Sequence, residues 1–270
     1  MTSLTLKTSS RMGKLLPTTA VSYLNTKPFL YGLAKTGMLD RLDLSLNIPS
    51  ECARKLLAGE VTLGLVPVAV LPEVPQAQVI SDYCIGTEGT VKTVCLYSDV
   101  PLERVSHLYL DHHSRTSAAL VRVLLREYWQ LDPELLPARD GYIDQLGGTT
   151  AGLVIGDRCM GLSERFAYEY DLGEAWEAHT GLPFVFAVWV STEPLTQRFL
   201  SRFNSALATG LAAIPELLYI LPAPAADFSL ATYFNEYISY ALDAPKKRAL
   251  KLFLRKLNTG VPSATRLQGA

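Results

Sequence analysis

Four polar clusters in this chain each lie on or just past an apolar run, where an α/β protein presents side chains to a ligand. The first is Ser22-Tyr23-Leu24-Asn25-Thr26-Lys27. Asn25 offers an amide donor and a carbonyl acceptor, Ser22 and Tyr23 add hydroxyls, and Lys27 adds charge. An Asx turn ahead of a helix explains Asn25 equally well. The second cluster, Asp111-His112-His113-Ser114-Arg115-Thr116-Ser117, reads as a helix N-terminus bearing three hydroxyls and a guanidinium. Free backbone N–H groups and the helix dipole favour an anion there, and Arg115 is suited to grip a carboxylate through two parallel bonds. The plainer alternative makes Ser114 a cap and Arg115 a surface charge. His112 and His113 are expected to flank the site rather than to carry acid–base chemistry. The third cluster is Gly156-Asp157-Arg158, for which a structural ion pair and a ligand contact are equally good readings. The fourth is the strand Val91–Ser98. Alternation puts Thr93, Cys95 and Tyr97 on one face and Lys92, Val94 and Leu96 on the other, leaving open which one meets a cleft.

Other chemistries lack their signatures. Cys52, Cys84, Cys95 and Cys159 form no C-x-x-C pair, and His107, His112, His113 and His179 form no H-E-x-x-H. Zinc needs closely spaced donors, so no metal is expected and the cysteines read as buried free thiols. Phosphate-loop, dinucleotide and nucleophile-elbow motifs are missing too. The residues point to a cofactor-free site for a small anion.

Those clusters need elements to hold them. The 270 residues suit two lobes of modest size, and 49% hydrophobic against 19% charged residues supplies a real core. A net charge of −1 with scattered Lys and Arg argues against nucleic acid as a partner. Lys246, Lys247 and Arg248 read as the wet face of a helix. The N-terminal residues lack a secretory signal's apolar stretch. No stretch reaches the roughly 18 apolar residues that span a bilayer. The expectation is a cytoplasmic protein with a small-molecule partner and no membrane contact.

Strand and helix signals alternate, the pattern of a largely parallel sheet covered by helices. A weak strand around Leu15–Val21 leads into the first cluster, with Pro17 demanding an edge position or a late strand start. A short helix follows, with Pro28 in its first turn and Gly37 as its stop. Leu42, Leu44, Leu46 and Ile48 alternate as a strand, Ser50 is the expected N-cap of helix Glu51–Ala58, and Val61–Val66 is a buried strand. A second α/β pattern comprises His107–Leu110, the helix Thr116–Gln130 and Ala151–Ile155. Helices are expected over Pro194–Tyr219, Phe228–Leu242 and Pro245–Leu257. Val91–Ser98 and Phe184–Ser191 read as strands crossing between lobes, giving a discontinuous lobe I (1–97 plus 191–270) and a lobe II (98–190). The fold class is α/β: two lobes of mixed sheet flanked by helices, wired like a type 2 periplasmic-binding protein, with a ligand cleft between them.

A resemblance sharpens this. Ala20-Val21-Ser22-Tyr23-Leu24-Asn25-Thr26-Lys27-Pro28-Phe29 resembles the N-terminal motif of the chorismate dehydratases of the futalosine route to menaquinone. The likeness continues through Pro49-Ser50-Glu51-Cys52-Ala53-Arg54, Gly64-Leu65-Val66-Pro67-Val68-Ala69 and Ser81-Asp82-Tyr83-Cys84-Ile85-Gly86. It recurs in Ser114-Arg115-Thr116-Ser117, Ile155-Gly156-Asp157-Arg158, Tyr170-Asp171-Leu172-Gly173 and Gly181-Leu182-Pro183-Phe184-Val185-Phe186-Ala187-Val188-Trp189. The resemblance implies a cofactor-independent hydro-lyase that turns chorismate into 3-[(1-carboxyvinyl)oxy]benzoate. It implies catalytic roles for Asn25 and for Thr93, which stands where the family has Ser. The expected binding set is Ser22, Tyr23, Lys27, Ser50, Ser114, Arg115, Thr116, Ser117, Gly156 and Asp157, with Arg115 and Lys27 facing the substrate's carboxylates. A non-catalytic solute binder and the sister dihydroxynaphthoate synthase of the same route are the rival readings.

Overall fold

The computed structural model describes residues 15–74, 76–225 and 228–259. The chain builds two mixed sheets. β1 (Leu16–Val21), β2 (Leu42–Asn47) and β3 (Leu63–Pro67) are parallel, joined by α1 (Lys27–Lys35) and α2 (Pro49–Leu57). Between β3 and the long strand β4 (Gln78–Thr87) runs a 3-10 segment, Val68–Glu73. Next, β5 (Val94–Ser98), β6 (His107–Leu110), β7 (Glu134–Pro137), β8 (Thr150–Ile155) and β9 (Tyr168–Asp171) make the second sheet, in the order β7-β6-β8-β5-β9. α3 (Arg115–Leu124) connects β6 to β7, and α4 (Leu172–Thr180) leads back to the first sheet through β10 (Phe184–Ser191). The chain finishes with α5 (Gln197–Ala212), α6 (Ile214–Ile220), a single turn α7 (Leu230–Thr232), the strand β11 (Ser239–Ala241) and α8 (Ala244–Thr259). The first sheet has the order β11-β4-β10-β3-β1-β2.

Several expectations shift, each for a physical reason. β1 is interior rather than an edge, and Pro17 is tolerated because pairing with β3 starts only at Thr18. α2 is capped by Ile48, so Ser50 lies inside its first turn. Val91–Ser98 and Phe184–Ser191 do not cross between sheets as strands. Among the described residues β5 pairs only with β8 and β9, whereas β10 pairs only with β3 and β4. The outward connection is therefore residues 88–93, and the return runs through α4 and residues 181–183. The helix after Ser114 breaks at Leu124 into a π turn, Leu125–Trp129. The wider turn rotates Tyr128 off the buried face that holds Leu120 and Leu124, leaving it 40% exposed. The stretch Phe228–Leu242 is not one helix: α7 passes into a π turn, Tyr233–Tyr237, and then into β11. Ile238, Tyr240 and Leu242 alternate inward there, which is strand periodicity. Lys246 is fully buried, its ammonium 2.6 Å from Glu88 and 3.5 Å from Asp243, while Lys247 and Arg248 stay exposed.

What this architecture does for a site follows from strand direction. β1, β2, β3, β6 and β8 all deliver their carboxyl ends to the same space between the sheets. α1 is held against α5 by Gly32 and Gly210, where an added Cβ would sit 2.0 Å from Ala206 O and 1.8 Å from Pro28 O. That close approach fixes where the loop after β1 begins.

Candidate functional site

The space between the sheets encloses about 490 Å³, its open mouth included. The strand ends supply much of its wall: Val21 from β1, Pro49 just after β2, Pro67 from β3, and Ile155 and Gly156 at the end of β8. Ile85 on β4, Phe186 and Ala187 on β10, and Val91 and Val94 around the connection add apolar surface. Tyr23, Asn25, Thr93, Ser114 and Ser117 supply the polar side chains. Among the described lining residues there is no Asp, Glu, His, Lys or Arg.

Asn25 sits in a 3-10 turn, Leu24–Thr26, whose first amide is tied down from the other lobe: Leu24 N donates to both oxygens of Asp157, at 3.1 and 3.2 Å. Asn25 is buried, its carbonyl accepting from Tyr240 Oη at 2.9 Å and its side-chain oxygen from Thr26 Oγ1 at 3.2 Å. Thr93 is 2% exposed. Its carbonyl accepts from Gly156 N at 2.8 Å, and its hydroxyl lies 3.4 Å from the phenol of Tyr233. Burial raises the Tyr233 pKa above the ordinary phenol value while hydrogen bonds to Thr93 and Asn25 pull it down. Tyr233 thus meets the Thr93 hydroxyl from the C-terminal segment.

Tyr23 crosses the cleft, its Oη 2.9 Å from His113 Nδ1. Burial is the largest influence on both groups. It raises the Tyr23 pKa, with the charge of Arg158 opposing, and it lowers that of His113, with Arg158 adding to the shift. Gly156 makes the Tyr23 position possible: at φ +67°, an added Cβ would come within 2.6 Å of the ring. Asp111, His112 and His113 have ligand atoms within 4.8 Å of one another. Asp111 is already spent, however. Oδ1 accepts from His113 N (2.9 Å), and Oδ2 from Tyr142 Oη (3.2 Å), Ile155 N (3.1 Å) and Arg158. A cation there would have to displace an ion pair. All four cysteines are free and buried, with burial raising Cys52 to about 11 and Cys84 to about 12.

A family model described as menaquinone biosynthesis matches residues 18–259. The chain belongs to that family. The chorismate dehydratase of Thermus thermophilus is similar at 29% identity over 241 residues, covering 80% of this chain and 86% of that protein. A protein from Archaeoglobus fulgidus superposes with a TM-score of 0.69 at 12% identity, covering 90% of this chain and 97% of that one. The alkanesulfonate-binding protein SsuA from Xanthomonas axonopodis pv. citri gives 0.56 at 14% identity, covering 90% and 93%. These likenesses show the fold: a two-lobed solute-binding-protein architecture carries this member of the menaquinone-biosynthesis family.

In this family member, Asn25, Thr93, Tyr23, Ser114, Ser117 and Gly156 come together at the cavity. Six other residues of the expected set are absent from its lining. Ser22 donates its backbone N–H to Asn47 O, and Lys27 is half-buried, its charge acting on Asp157. Ser50 N donates to His113 O at 2.9 Å. Thr116 is buried and accepts from Ala69 N through Oγ1 at 3.2 Å. The Arg115 guanidinium turns outward to Glu73, 3.0 Å away, with 44% of its side chain exposed. Asp157 is the clamp on Leu24, its carboxyl pKa raised by burial against the pull of that N–H and of Lys27. Arg158 pairs with Asp111, and its buried Nε has no partner among the described residues. Tyr233 had no local signal in the sequence, because it reaches Thr93 from 140 positions along the chain.

Proposed function

We propose that this chain is a chorismate dehydratase, a hydro-lyase converting chorismate to 3-[(1-carboxyvinyl)oxy]benzoate and water on the futalosine route to menaquinone. Family membership and the Thermus thermophilus relative support the reading. The observation that carries it is the lining: hydroxyls, one carboxamide and apolar walls, with Tyr23 the one titratable side chain among the described lining residues. Such a wall suits a reaction that needs positioning more than a strong protein base. Elimination across a cyclohexadiene is of that kind, since aromatisation drives it.

In this reading the substrate's enolpyruvyl carboxylate, held by Asn25, takes the proton from the ring carbon bearing the ether oxygen. The C–H electron pair enters the ring while the C–O bond to the neighbouring hydroxyl breaks. Thr93 hydrogen-bonds the reacting edge. Tyr23 protonates the departing oxygen to water and regains its proton from the substrate's carboxylic acid, so one chorismate yields one enol ether and one water. The raised phenol pKa keeps Tyr23 protonated until a base as strong as departing hydroxide meets it. With no cationic side chain among the described lining residues, the substrate's charge falls to the N-terminus of α3, where the amides of Arg115 and Thr116 have no helical acceptor.

The test is incubation of purified protein with chorismate, followed by chromatography for the aromatic enol ether. Its appearance is the expected outcome. Binding without conversion would return the protein to the solute binders, and neither binding nor conversion would reject chorismate altogether.

A further inference from the structure

Asp171 lies outside the cavity lining, yet its carboxylate is fully engaged beside it. Oδ2 accepts from the N–H groups of Val91 (2.9 Å) and Lys92 (2.7 Å), and Oδ1 from those of Gly173 (2.8 Å) and Glu174 (3.1 Å). The residue is 7% exposed, and none of these partners is a cationic side chain. The Oδ1 pair is an ordinary N-cap of α4. The Oδ2 pair does nothing for that helix. It grips the connection between the sheets, one residue ahead of Thr93.

That connection is strained where it is gripped. Lys92 has φ +62°, in the left-handed region that residues other than glycine seldom adopt. Gly173 brings the first turn of α4 close enough to act: an added Cβ there would sit 2.4 Å from Gly89 O and 2.7 Å from Thr87 Cγ2. The turn therefore presses on the connection at Gly89 and holds it again at Val91 and Lys92. Immediately afterwards Thr93 enters the wall between Gly156 N and Tyr233.

We propose that Asp171 is a positioning residue for Thr93, holding Lys92 in the left-handed conformation that presents the Thr93 hydroxyl to the cavity. The proposal deepens the dehydratase reading and takes its substrate from it. It accounts for a carboxylate in the Tyr170-Asp171-Leu172-Gly173 block that bonds the Val91 backbone but no polar side chain of the lining.

The experiment is a rescue series on the full chain with chorismate as substrate. Asp171→Ser keeps a hydroxyl able to cap α4 but is too short for the amides of Val91 and Lys92. It should lower kcat by about 10²-fold, the scale of a small misplacement of a reacting group, with KM changed far less. Lys92→Gly in the same chain should restore about tenfold of that loss, because glycine adopts positive φ freely. Lys92→Ala should restore nothing. Should Asp171→Ser fold poorly, Asp171→Asn keeps the shape while losing acceptor capacity, and it should respond to Lys92→Gly in the same direction. An unchanged kcat on removing the carboxylate, or equal effects of Gly and Ala at position 92, overturns the proposal. A wild-type chain that leaves chorismate unconverted defeats the dehydratase reading instead. Amide exchange at Val91 and Lys92 then decides the clamp: protection lost in Asp171→Ser supports it, and unchanged protection ends it.

Discussion

Thr93 carries its hydroxyl where both sheets and the C-terminal segment meet, and that meeting gives Asn25 and Tyr233 their meaning. Asn25 alone looks like a turn residue. Placed in a buried 3-10 turn beside the same cavity as Thr93, it becomes part of a fixed polar wall. Asn25→Ala should lower chorismate turnover by about 10²–10³-fold in kcat, the range for removing a preorganised hydrogen-bond donor, with KM moving much less. Tyr233→Phe keeps the ring and deletes the hydroxyl. Steady-state kinetics should show a kcat about tenfold lower, the worth of one ordinary hydrogen bond. At this scale the N-terminal motif was readable, since Ser, Tyr, Asn and Thr in a post-strand loop announce a polar site. Tyr233 was not, because nothing in its own neighbourhood tells a buried phenol at a ligand wall from one in the core.

The elements that place these residues depend on close contacts as much as on periodicity. Gly32 on α1 and Gly210 on α5 let the two helix backbones touch, and the site loop is anchored at the start of α1. Gly210→Ala forces a methyl toward Pro28 O. It should cost about 1–3 kcal/mol of stability, as overpacking does, seen as a lower Tm in thermal denaturation. Turnover should fall with it, because α1 moves away and takes Asn25 along. The alternating and helical patterns named most strands and helices, including β6, β8 and β10. They failed at the two π turns, where one extra residue per turn breaks helical spacing. They failed also at the crossings between sheets, because an apolar strand reads alike whichever sheet it joins.

Across the whole molecule, several residues expected to hold substrate tie the lobes together, Tyr23 while also lining the cavity. Tyr23 reaches His113, Asp157 holds Leu24, Thr116 binds Ala69 N, Ser50 N binds His113 O, and Arg115 pairs with Glu73. This is a closed arrangement. Burial first, then the charges of Arg158 and His112, hold the His113 pKa below its ordinary 6.5, while Asp111 and Asp140 oppose them. A histidine whose pKa is depressed in the folded chain favours that fold when neutral. Its contribution to stability is therefore fully present above pH 6.5 and is lost as pH falls from there toward the lower folded-state pKa. Tm should fall on that acidic side, and His113→Gln should flatten the fall.

By itself the chain's pattern of residues determined the α/β class, the free buried thiols and a hydroxyl-and-amide loop after the first strand. Strand periodicity, thiol spacing and turn chemistry are local properties, so they survive in one dimension. Only the tertiary structure decided which polar groups share a cavity and which latch the lobes. It also turned Arg115 toward Glu73 and brought Tyr233 to Thr93. Those outcomes depend on distances between segments far apart in the chain, and such distances are set by how two sheets close on each other.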